Sequence, residues 1–302
     1  MPTAARPPRG AYGLLVALAV LFGPAYAALG GLRPPVVLSL GLSSATLLLA
    51  VLARRRPGPA VEGLFAFALS LGAAVHYAST GAVHDALGSP LRDDALAAVD
   101  ARLFGGVFPG GQAAVLIDRS PILGPATVIG RVLSDLFQVA YVSYYAWGAA
   151  LFFLLLARAL RRPDGDAWDT LRAFLVAWVG AYLVNFAAYL VVPAMGPWWA
   201  HPEWFAHEID GLVVAGPLRG LVAENQVTPD CFPSGHTALS WIVALVALRV
   251  APRYGRVAVV GAVLISLATV GLRYHYAVDV LAAVPLVLLG LAAGGFLRRG
   301  VA

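Results

Sequence analysis

The sequence predicts an all-α fold, a polytopic bundle of about eight transmembrane helices. Of its 302 residues, 60% are hydrophobic and 12% are charged, whereas soluble domains carry about a quarter charged residues. The mean hydropathy is +0.79. The apolar residues also fall into runs near the length of about 20 residues that a helix needs to cross a bilayer. These observations exclude a disordered chain, a soluble enzyme and a disulfide-rich secreted scaffold.

Eight apolar runs are the predicted spans. Pro193 suits the end of the fifth span, and Pro285 is expected to kink the eighth. In chain order, the spans are predicted at residues 11–30, 36–53, 62–80, 133–158, 168–193, 235–251, 256–272 and 276–297.

The first run has a second interpretation. Arg6 and Arg9 precede an apolar stretch that reaches Ala25-Tyr26-Ala27, a pattern that also fits a cleaved signal peptide. The apolar run continues past that site, which favours a retained span. Both interpretations give the later spans the same orientation.

The basic residues orient the bundle, because cytoplasmic loops of membrane proteins carry an excess of them. All 21 are arginine, and 14 of them fall on the side of the two termini against 7 on the other. Both termini are therefore expected in the cytoplasm. Two long connections, about residues 81–132 and 194–234, are expected on the extracytoplasmic side of the cell membrane. The arginines form no basic stripe with interleaved aromatic residues, which excludes nucleic acid as a partner.

The first connection contains a predicted short helix at residues 91–104. Leu91, Leu96, Val99 and Leu103 fall near one face of that helix, with the charged residues elsewhere. We expect this helix to lie along the membrane interface.

The most informative stretch is residues 230–237, Asp-Cys-Phe-Pro-Ser-Gly-His-Thr, which leads into the sixth span. Pro233 suits the first position of a helix, so Ser234, Gly235 and His236 are expected in its first turn. A helix start presents unpaired amides and a positive dipole end, which suit phosphate. Gly235 lets a ligand approach the backbone, and the Ser234 hydroxyl adds a donor.

The second informative stretch is residues 273–279, Arg-Tyr-His-Tyr-Ala-Val-Asp, between the seventh and eighth spans. His275 and Asp279 are four residues apart, so on a helix they share a face. A carboxylate that binds one imidazole nitrogen leaves the other free to attack an electrophile. Arg273 offers a planar fork that matches phosphate oxygens.

The two stretches are expected to meet, because the sixth span crosses the membrane and the seventh returns. Each leg of about 16 residues covers about 25 Å. The arrangement predicts phosphoryl transfer through a covalent phosphohistidine. His275 would attack phosphorus, Asp279 would orient it, and His236 would protonate the leaving oxygen. Arg273, Ser234 and the amides of the helix start would stabilise the transition-state oxygens.

These motifs resemble those of a known family. Pro-Ser-Gly-His at 233–236 and Arg-x-His-x-x-x-Asp at 273–279 are similar to the second and third signature motifs of the type 2 phosphatidic acid phosphatase (PAP2) superfamily. The resemblance implies an α-helical membrane bundle with a PAP2-like core, and no metal or other cofactor. It also implies roles for five residues: His275 as nucleophile, His236 as acid and base, Asp279 as its partner, and Arg273 and Ser234 as phosphate ligands.

The sequence departs from the superfamily pattern in two places. The first motif, a lysine six residues before Arg-Pro, is absent, and Gly271 stands where serine is frequent. The absence is typical of the branch that contains inositol phosphorylceramide synthase. Three segments also resemble that branch, at residues 100–105, 135–145 and 193–198.

The resemblance covers about residues 96–295 and implies a membrane lipid as substrate. It favours transfer of inositol phosphate to a lipid acceptor. The alternative is hydrolysis of a lipid phosphate or prenyl diphosphate, with water as acceptor. Residues 1–80 are predicted to be N-terminal spans, and residues 81–302 the catalytic bundle with its two loops.

Four further residues are candidates for lining the substrate cavity. Tyr144 and Tyr145 begin the fourth span, where tyrosine is also a common interfacial anchor. Asn185 has the alternative of joining two helices by a hydrogen bond. Asp100 belongs to one of the branch-like segments. Cys231 has no visible partner and is assigned no role.

A channel or transporter is the rival prediction from another functional class, because ionisable residues within membrane spans mark ion pathways. Here the charged residues cluster at one membrane face, and no chain of charges crosses the bilayer. This distribution favours the enzyme.

Overall fold

The computed structural model describes residues 6–8, 10–108, 111–162, 165–226 and 229–297. Within these ranges the chain is helical and has no β-strand, which confirms the all-α prediction. Twelve α-helices lie there: α1 (Ala11–Gly30), α2 (Pro34–Arg55), α3 (Pro59–Leu87), α4 (Asp93–Phe104), α5 (Ala113–Asp118), α6 (Val128–Arg161), α7 (Gly165–Val191), α8 (Pro197–Ala200), α9 (Ala215–Glu224), α10 (Gly235–Val250), α11 (Pro252–Gly271) and α12 (Ala277–Ala293).

Each predicted span corresponds to one helix, namely α1 to α3, α6, α7 and α10 to α12. Six of these are long and apolar enough to cross a membrane, and α10 and α12 are shorter apolar helices. At 16 and 17 residues, they extend about 25 Å at the usual rise of about 1.5 Å per residue. The chain is thus a multi-pass membrane bundle, and eight crossings remain the prediction.

Prolines and glycines set several helix ends. The α7 helix ends at Val191, two residues before Pro193, as predicted. The α3 helix is followed by Gly88, whose φ of 62° lies in the left-handed region that glycine adopts without steric cost. Pro285 lies inside α12.

The centre of the molecule is a bundle of α6, α7, α10, α11 and α12. The α10 helix packs against all four others, α1, α2 and α3 pack together, and α1 and α3 also pack against α7. Leu151, Phe174, Ile242 and Ile265 are fully buried in this core. The α3 helix runs past residue 80 to Leu87, so the predicted division at residue 80 falls inside a helix.

Helix α4 confirms the predicted short helix, and its position along the membrane interface remains a prediction. The buried residues are Asp93, Leu96 and Asp100, whereas Val99 and Leu103 are exposed. The carboxylates face inward because they accept hydrogen bonds from backbone amides of other segments, which offsets the cost of burying them.

Aspartates tie the two long connections to the bundle. Asp93 accepts hydrogen bonds from the amides of Met195 and Gly196 at 2.8–3.1 Å. Asp135 of α6 accepts four more, from the amides of residues 212–215, at 2.8–3.0 Å. Because the last of these amides belongs to the first residue of α9, Asp135 fixes this helix over one end of the bundle.

Candidate active site

The two histidine motifs meet at one end of the bundle. The ring centroids of His236 and His275 are 6.3 Å apart, although 39 positions separate them in the chain. The Ser234 amide donates to the Asp279 carbonyl oxygen at 3.1 Å, which joins the two motifs through the backbone. The predicted convergence of the motifs is therefore confirmed.

His275 lies in the short turn between α11 and α12 and is 4% exposed. Its Nδ1 atom is 2.8 Å from the carbonyl oxygen of Cys231 and 3.4 Å from Oδ2 of Asp279. A carbonyl oxygen only accepts hydrogen bonds, so Nδ1 carries the proton when the ring is neutral. Nε2 then has a free lone pair, as a nucleophile requires.

Cys231 is a site residue that the sequence reasoning missed. Its thiol is 2.8 Å from Oδ2 of Asp279, and its carbonyl holds His275. Burial raises the pKa of the thiol well above its usual value, so the thiol stays protonated and donates to Asp279. The prediction that Asp279 orients His275 therefore needs an addition: Cys231 contacts both residues.

Cys231, His275 and Asp279 also form a group whose donor atoms lie within 4.8 Å of one another in the described part of the chain. Imidazole, thiolate and carboxylate are ligands that zinc accepts. In this arrangement, however, the thiol and Nδ1 both donate hydrogen bonds. These bonds orient an imidazole, so we assign the group to positioning His275.

His236 is the second residue of α10 and lies against aromatic rings of α6. Its ring stacks on Tyr141 at 4.1 Å between centroids and lies 4.3 Å from the ring of Tyr144. The Nε2 atom is buried and has no hydrogen-bond partner among the residues that the structure describes. An unpartnered imidazole nitrogen beside the nucleophile can exchange a proton with a substrate oxygen.

The start of α10 lies two residues later than the sequence predicted. The helix begins at Gly235, and not at Pro233, with Ser234 as its N-cap residue. The Ser234 hydroxyl accepts from the Thr237 amide at 3.3 Å and donates to the Thr237 hydroxyl at 3.1 Å. In this structure its donor is therefore used within the helix start, which is typical of serine at this position.

Gly235 is required by packing in addition to any role towards a ligand. A Cβ atom there would lie 2.6 Å from the Tyr189 hydroxyl and 2.8 Å from Oδ1 of Asn185. Asn185 also donates to the Pro233 carbonyl at 3.1 Å. Asn185 thus supports the backbone of the motif, as the helix-joining alternative for this residue anticipated.

Arg273 lies in the same turn after α11, with a φ of 68°, a left-handed conformation that is uncommon for a residue with a side chain. Its guanidinium donates to Asp118 at 2.7 Å and to the His207 carbonyl at 2.8 Å. Burial lowers its pKa to about 10, against the opposing charge of Asp118, so it remains protonated at neutral pH. Arg273 as a phosphate ligand remains a prediction.

Arg219 of α9 is a second buried cation, which the sequence reasoning counted only as topology charge. Its guanidinium carbon lies 3.5 Å from the centre of the Trp198 ring, a cation–π contact. Both terminal nitrogens are buried and have no hydrogen-bond partner in the described part of the chain, and Glu208 is 3.9 Å away. Arg219 and Arg273 are thus two buried cations at this end of the bundle, and Arg273 is paired with Asp118.

Asp100 is placed otherwise than expected. Its carboxylate accepts from the amides of Ala277 and Val278 at 2.9 and 2.7 Å. These amides belong to the first turn of α12, where an anion is favourable. Asp100 therefore caps the helix that carries Asp279. Its oxygens bind the backbone of that helix and do not line a substrate cavity.

Tyr144 and Tyr145 lie beside a cavity, as expected for residues that line a substrate site. Both line a cavity of about 220 Å³ that also reaches His236, and Tyr145 lines a second cavity of about 480 Å³. The Tyr144 hydroxyl donates to that of Tyr182 at 2.5 Å. Their role towards a substrate remains a prediction.

The Asp100 carboxyl group that caps α12 makes the free energy of unfolding depend on pH. Burial raises the pKa of Asp100 from 3.8 to about 6, and the amides of Ala277 and Val278 oppose this shift. The folded protein thus holds the proton to a higher pH than the unfolded chain does. The contribution of Asp100 to the free energy of unfolding is therefore complete below about pH 4 and is lost as the pH rises through 6.

We expect the melting temperature of the parent, relative to that of Asp100→Asn, to fall as the pH rises from 4 to 6. Thermal unfolding in detergent measures both melting temperatures. Asp94→Asn is the matched control, because the Asp94 side chain lies on the same helix and is 99% exposed. A pH-independent difference for Asp100→Asn would contradict the assignment.

The comparisons with known proteins agree with this geometry. Residues 112–293, from the start of α5 to the end of α12, match the PAP2 superfamily. The chain belongs to the PAP2 superfamily. The matched region of this PAP2 protein contains both histidine motifs, whereas Asp93 and Asp100 of α4 lie before it.

A similar curated protein is a PA-phosphatase related-family protein of Dictyostelium discoideum, which is 33% identical over 250 residues. The alignment covers 76% of the PAP2 chain described here and 45% of the relative. The chain therefore spans less than half of the length of that relative. No solved structure matches the chain described here.

Proposed function

We propose that this PAP2 protein is a membrane-embedded phosphotransferase or phosphatase that acts on a lipid phosphate or phosphodiester. The observation that carries the proposal is the pair of imidazoles 6.3 Å apart. His275 has its Nδ1 fixed by the Cys231 carbonyl, and Nε2 of His236 has no hydrogen-bond partner within the described ranges. An enzyme that forms and breaks a bond to phosphorus needs such a nucleophile and such an acid.

The reaction proceeds in two steps. In the first, Nε2 of His275 attacks phosphorus, the bond from phosphorus to the lipid oxygen breaks, and His236 gives its proton to that oxygen. In the second, an acceptor hydroxyl or water attacks the phosphohistidine and gives its proton to His236, and the bond between phosphorus and Nε2 breaks. Asp279 stabilises the His275 imidazole when it carries the phosphoryl group.

Positive groups around the histidines support a phosphate-bearing substrate. The start of α10 places amides and its dipole end beside His236. The protonated guanidinium of Arg273 lies two residues before His275, and Arg219 adds a second buried cation nearby. These groups would lower the energy of the transition state by stabilising charge on the phosphoryl oxygens.

The acceptor defines the finer function. The branch-like segments and the absent first motif favour transfer of inositol phosphate to a lipid acceptor. The Dictyostelium relative is named a PA-phosphatase related-family protein, which favours hydrolysis. For sidedness, we retain the arrangement that the arginines predict, with the termini in the cytoplasm and the site at the extracytoplasmic surface of the cell membrane. An even number of crossings supports termini on one side.

A lipid panel tests the proposal. Purified protein in vesicles is offered phosphatidylinositol, phosphatidic acid and a prenyl diphosphate, each labelled at phosphorus, with and without ceramide. Labelled inorganic phosphate indicates hydrolysis, and a new labelled lipid indicates transfer. Absence of turnover for every lipid, together with ion flux through the same vesicles, would instead support the transporter.

A further inference from the structure

Aromatic rings line the space beside His236. A cavity of about 220 Å³ and another of about 480 Å³ share Tyr77, Tyr145, Asp230 and His236 as wall residues, so the two adjoin. In the smaller cavity, seven of the fourteen wall residues are tyrosine, tryptophan or phenylalanine. We call the two cavities together the aromatic chamber.

Helix α7 supplies one wall of the aromatic chamber. Trp178, Tyr182, Phe186 and Tyr189 are three or four residues apart, so they lie along one side of this helix. The centroids of consecutive rings are 5.3, 5.6 and 6.2 Å apart, and the rings therefore form a continuous surface. An aromatic ring has a negative π-face, which attracts a cation that contacts it.

Asp230 is the one carboxylate among the described residues that line the aromatic chamber, and no arginine lines it. Its Oδ2 accepts from the Tyr77 hydroxyl at 2.7 Å, and its Oδ1 accepts from the Gln226 amide at 2.8 Å. Both donors are neutral. A carboxylate repels the phosphate of a substrate nearby, unless the substrate itself carries a positive charge between them.

The composition of the wall favours an organic cation as the carrier of that charge. Metal ions such as Ca²⁺ need about six to eight oxygen ligands, whereas carbon rings form most of this wall. Ammonium groups bind well in aromatic sites, and the apolar wall also suits the hydrocarbon attached to such a group. We propose that the aromatic chamber binds the ammonium group of a lipid substrate, with Asp230 as its counter-ion.

The inference rests on the proposed function for its reaction and narrows the class of lipid. His236 lines both cavities, so the ammonium group would lie close to the bond between phosphorus and oxygen that forms or breaks. Two kinds of lipid carry an ammonium group in that position. One is a phosphodiester donor with a zwitterionic headgroup, and the other is an acceptor with an amine next to its hydroxyl.

Choline tests the binding without any lipid substrate. The full chain is placed in nanodiscs of phosphatidylglycerol, which has no ammonium group, and its melting temperature is measured as choline is added. A ligand that binds the folded state raises the melting temperature. We expect choline to bind about tenfold more tightly than 3,3-dimethyl-1-butanol, its neutral isostere with carbon in place of nitrogen.

Two variants test whether choline binds in the aromatic chamber. Asp230→Asn keeps the shape of the side chain and removes its charge, so the affinity for choline should fall about tenfold. Phe186→Leu removes one ring and keeps an apolar side chain, so the affinity should fall about threefold. Phe153→Leu is the matched control, because Phe153 is an exposed ring of α6 outside the chamber. It should keep the parent affinity. The melting temperature of each variant without choline shows that it is folded.

Turnover identifies which lipid carries the ammonium group. Labelled phosphatidylcholine that reacts faster than its neutral dimethylbutyl isostere indicates the donor. Transfer from labelled phosphatidylinositol to sphingosine, but not to its neutral N-acyl derivative ceramide, indicates the acceptor. Turnover that is indifferent to the ammonium group in both comparisons would overturn the inference.

The binding measurement separates this inference from the proposed function. Equal affinities for choline and its isostere, or an unchanged affinity for choline in Asp230→Asn, would overturn the inference whatever the turnover. Selective choline binding without turnover of any lipid would support the ammonium site and refute the proposed function.

Discussion

His275→Ala should reduce turnover of the lipid substrate by about 10³-fold or more, because the variant lacks the atom that forms the bond to phosphorus. The parent protein, quenched during turnover of labelled lipid, should carry a phosphoryl group that is labile to acid and stable to base. The variant should carry none. His84→Ala is the matched control, since His84 lies at the end of α3 and contacts the Ser89 carbonyl.

His236→Ala provides the complementary measurement. It keeps the nucleophile but lacks the acid, so a lipid whose alcohol is a poor leaving group should react about 10²-fold more slowly or worse. A substrate with an activated leaving group, such as p-nitrophenyl phosphate, needs little protonation of the leaving oxygen. Its turnover rate should therefore fall much less in this variant. Equal losses for both substrates would argue against His236 as the acid, and undiminished turnover in His275→Ala would refute the mechanism.

Asp118→Ala should produce the largest loss of stability. The carboxylate of Asp118 is 0% exposed and lies 2.7 Å from the Arg273 guanidinium, which is 3% exposed. Removing one partner of a buried ion pair leaves an uncompensated charge, which costs about 3–5 kcal/mol. We expect this loss in the free energy of unfolding measured in detergent micelles.

Two comparisons make the measurement specific. The double variant Asp118→Leu/Arg273→Met removes both charges and should recover much of the stability. Asp210→Ala breaks an exposed ion pair with Arg131 and should cost at most about 1 kcal/mol. If Asp118→Ala were no less stable than Asp210→Ala, the buried pair would not stabilise the turn that carries His275.

The spans and the histidine pair could be predicted because their signals are local or periodic. Runs of apolar residues give the helices, since a bilayer has no water to satisfy exposed backbone groups. His236 and His275 flank two consecutive spans, so the length of a crossing alone places them at the same membrane face. Both predictions needed only distances along single helices.

The supporting residues could not be found in this way, because their contacts join distant parts of the chain. Asp118 and Arg273 are 155 positions apart, and Asp100 caps a helix that begins 177 positions later. In the sequence these aspartates look like ordinary loop acids. Cys231 holds His275 through a backbone carbonyl, a contact that no residue type encodes. The seven-residue spacing of Asp93 and Asp100 on one helix was the available signal.

Helix α4 sets a limit on how far this chain can be shortened without disturbing its candidate site. It lies outside the region shared with the superfamily, residues 112–293, yet it supplies the acceptors for the first amides of α12. A fragment trimmed to the shared region would keep every predicted catalytic group and lose the scaffold that aligns one of them. We therefore expect the folded unit that supports the candidate site to begin before residue 93, and expression of shortened forms of this chain should respect that earlier boundary.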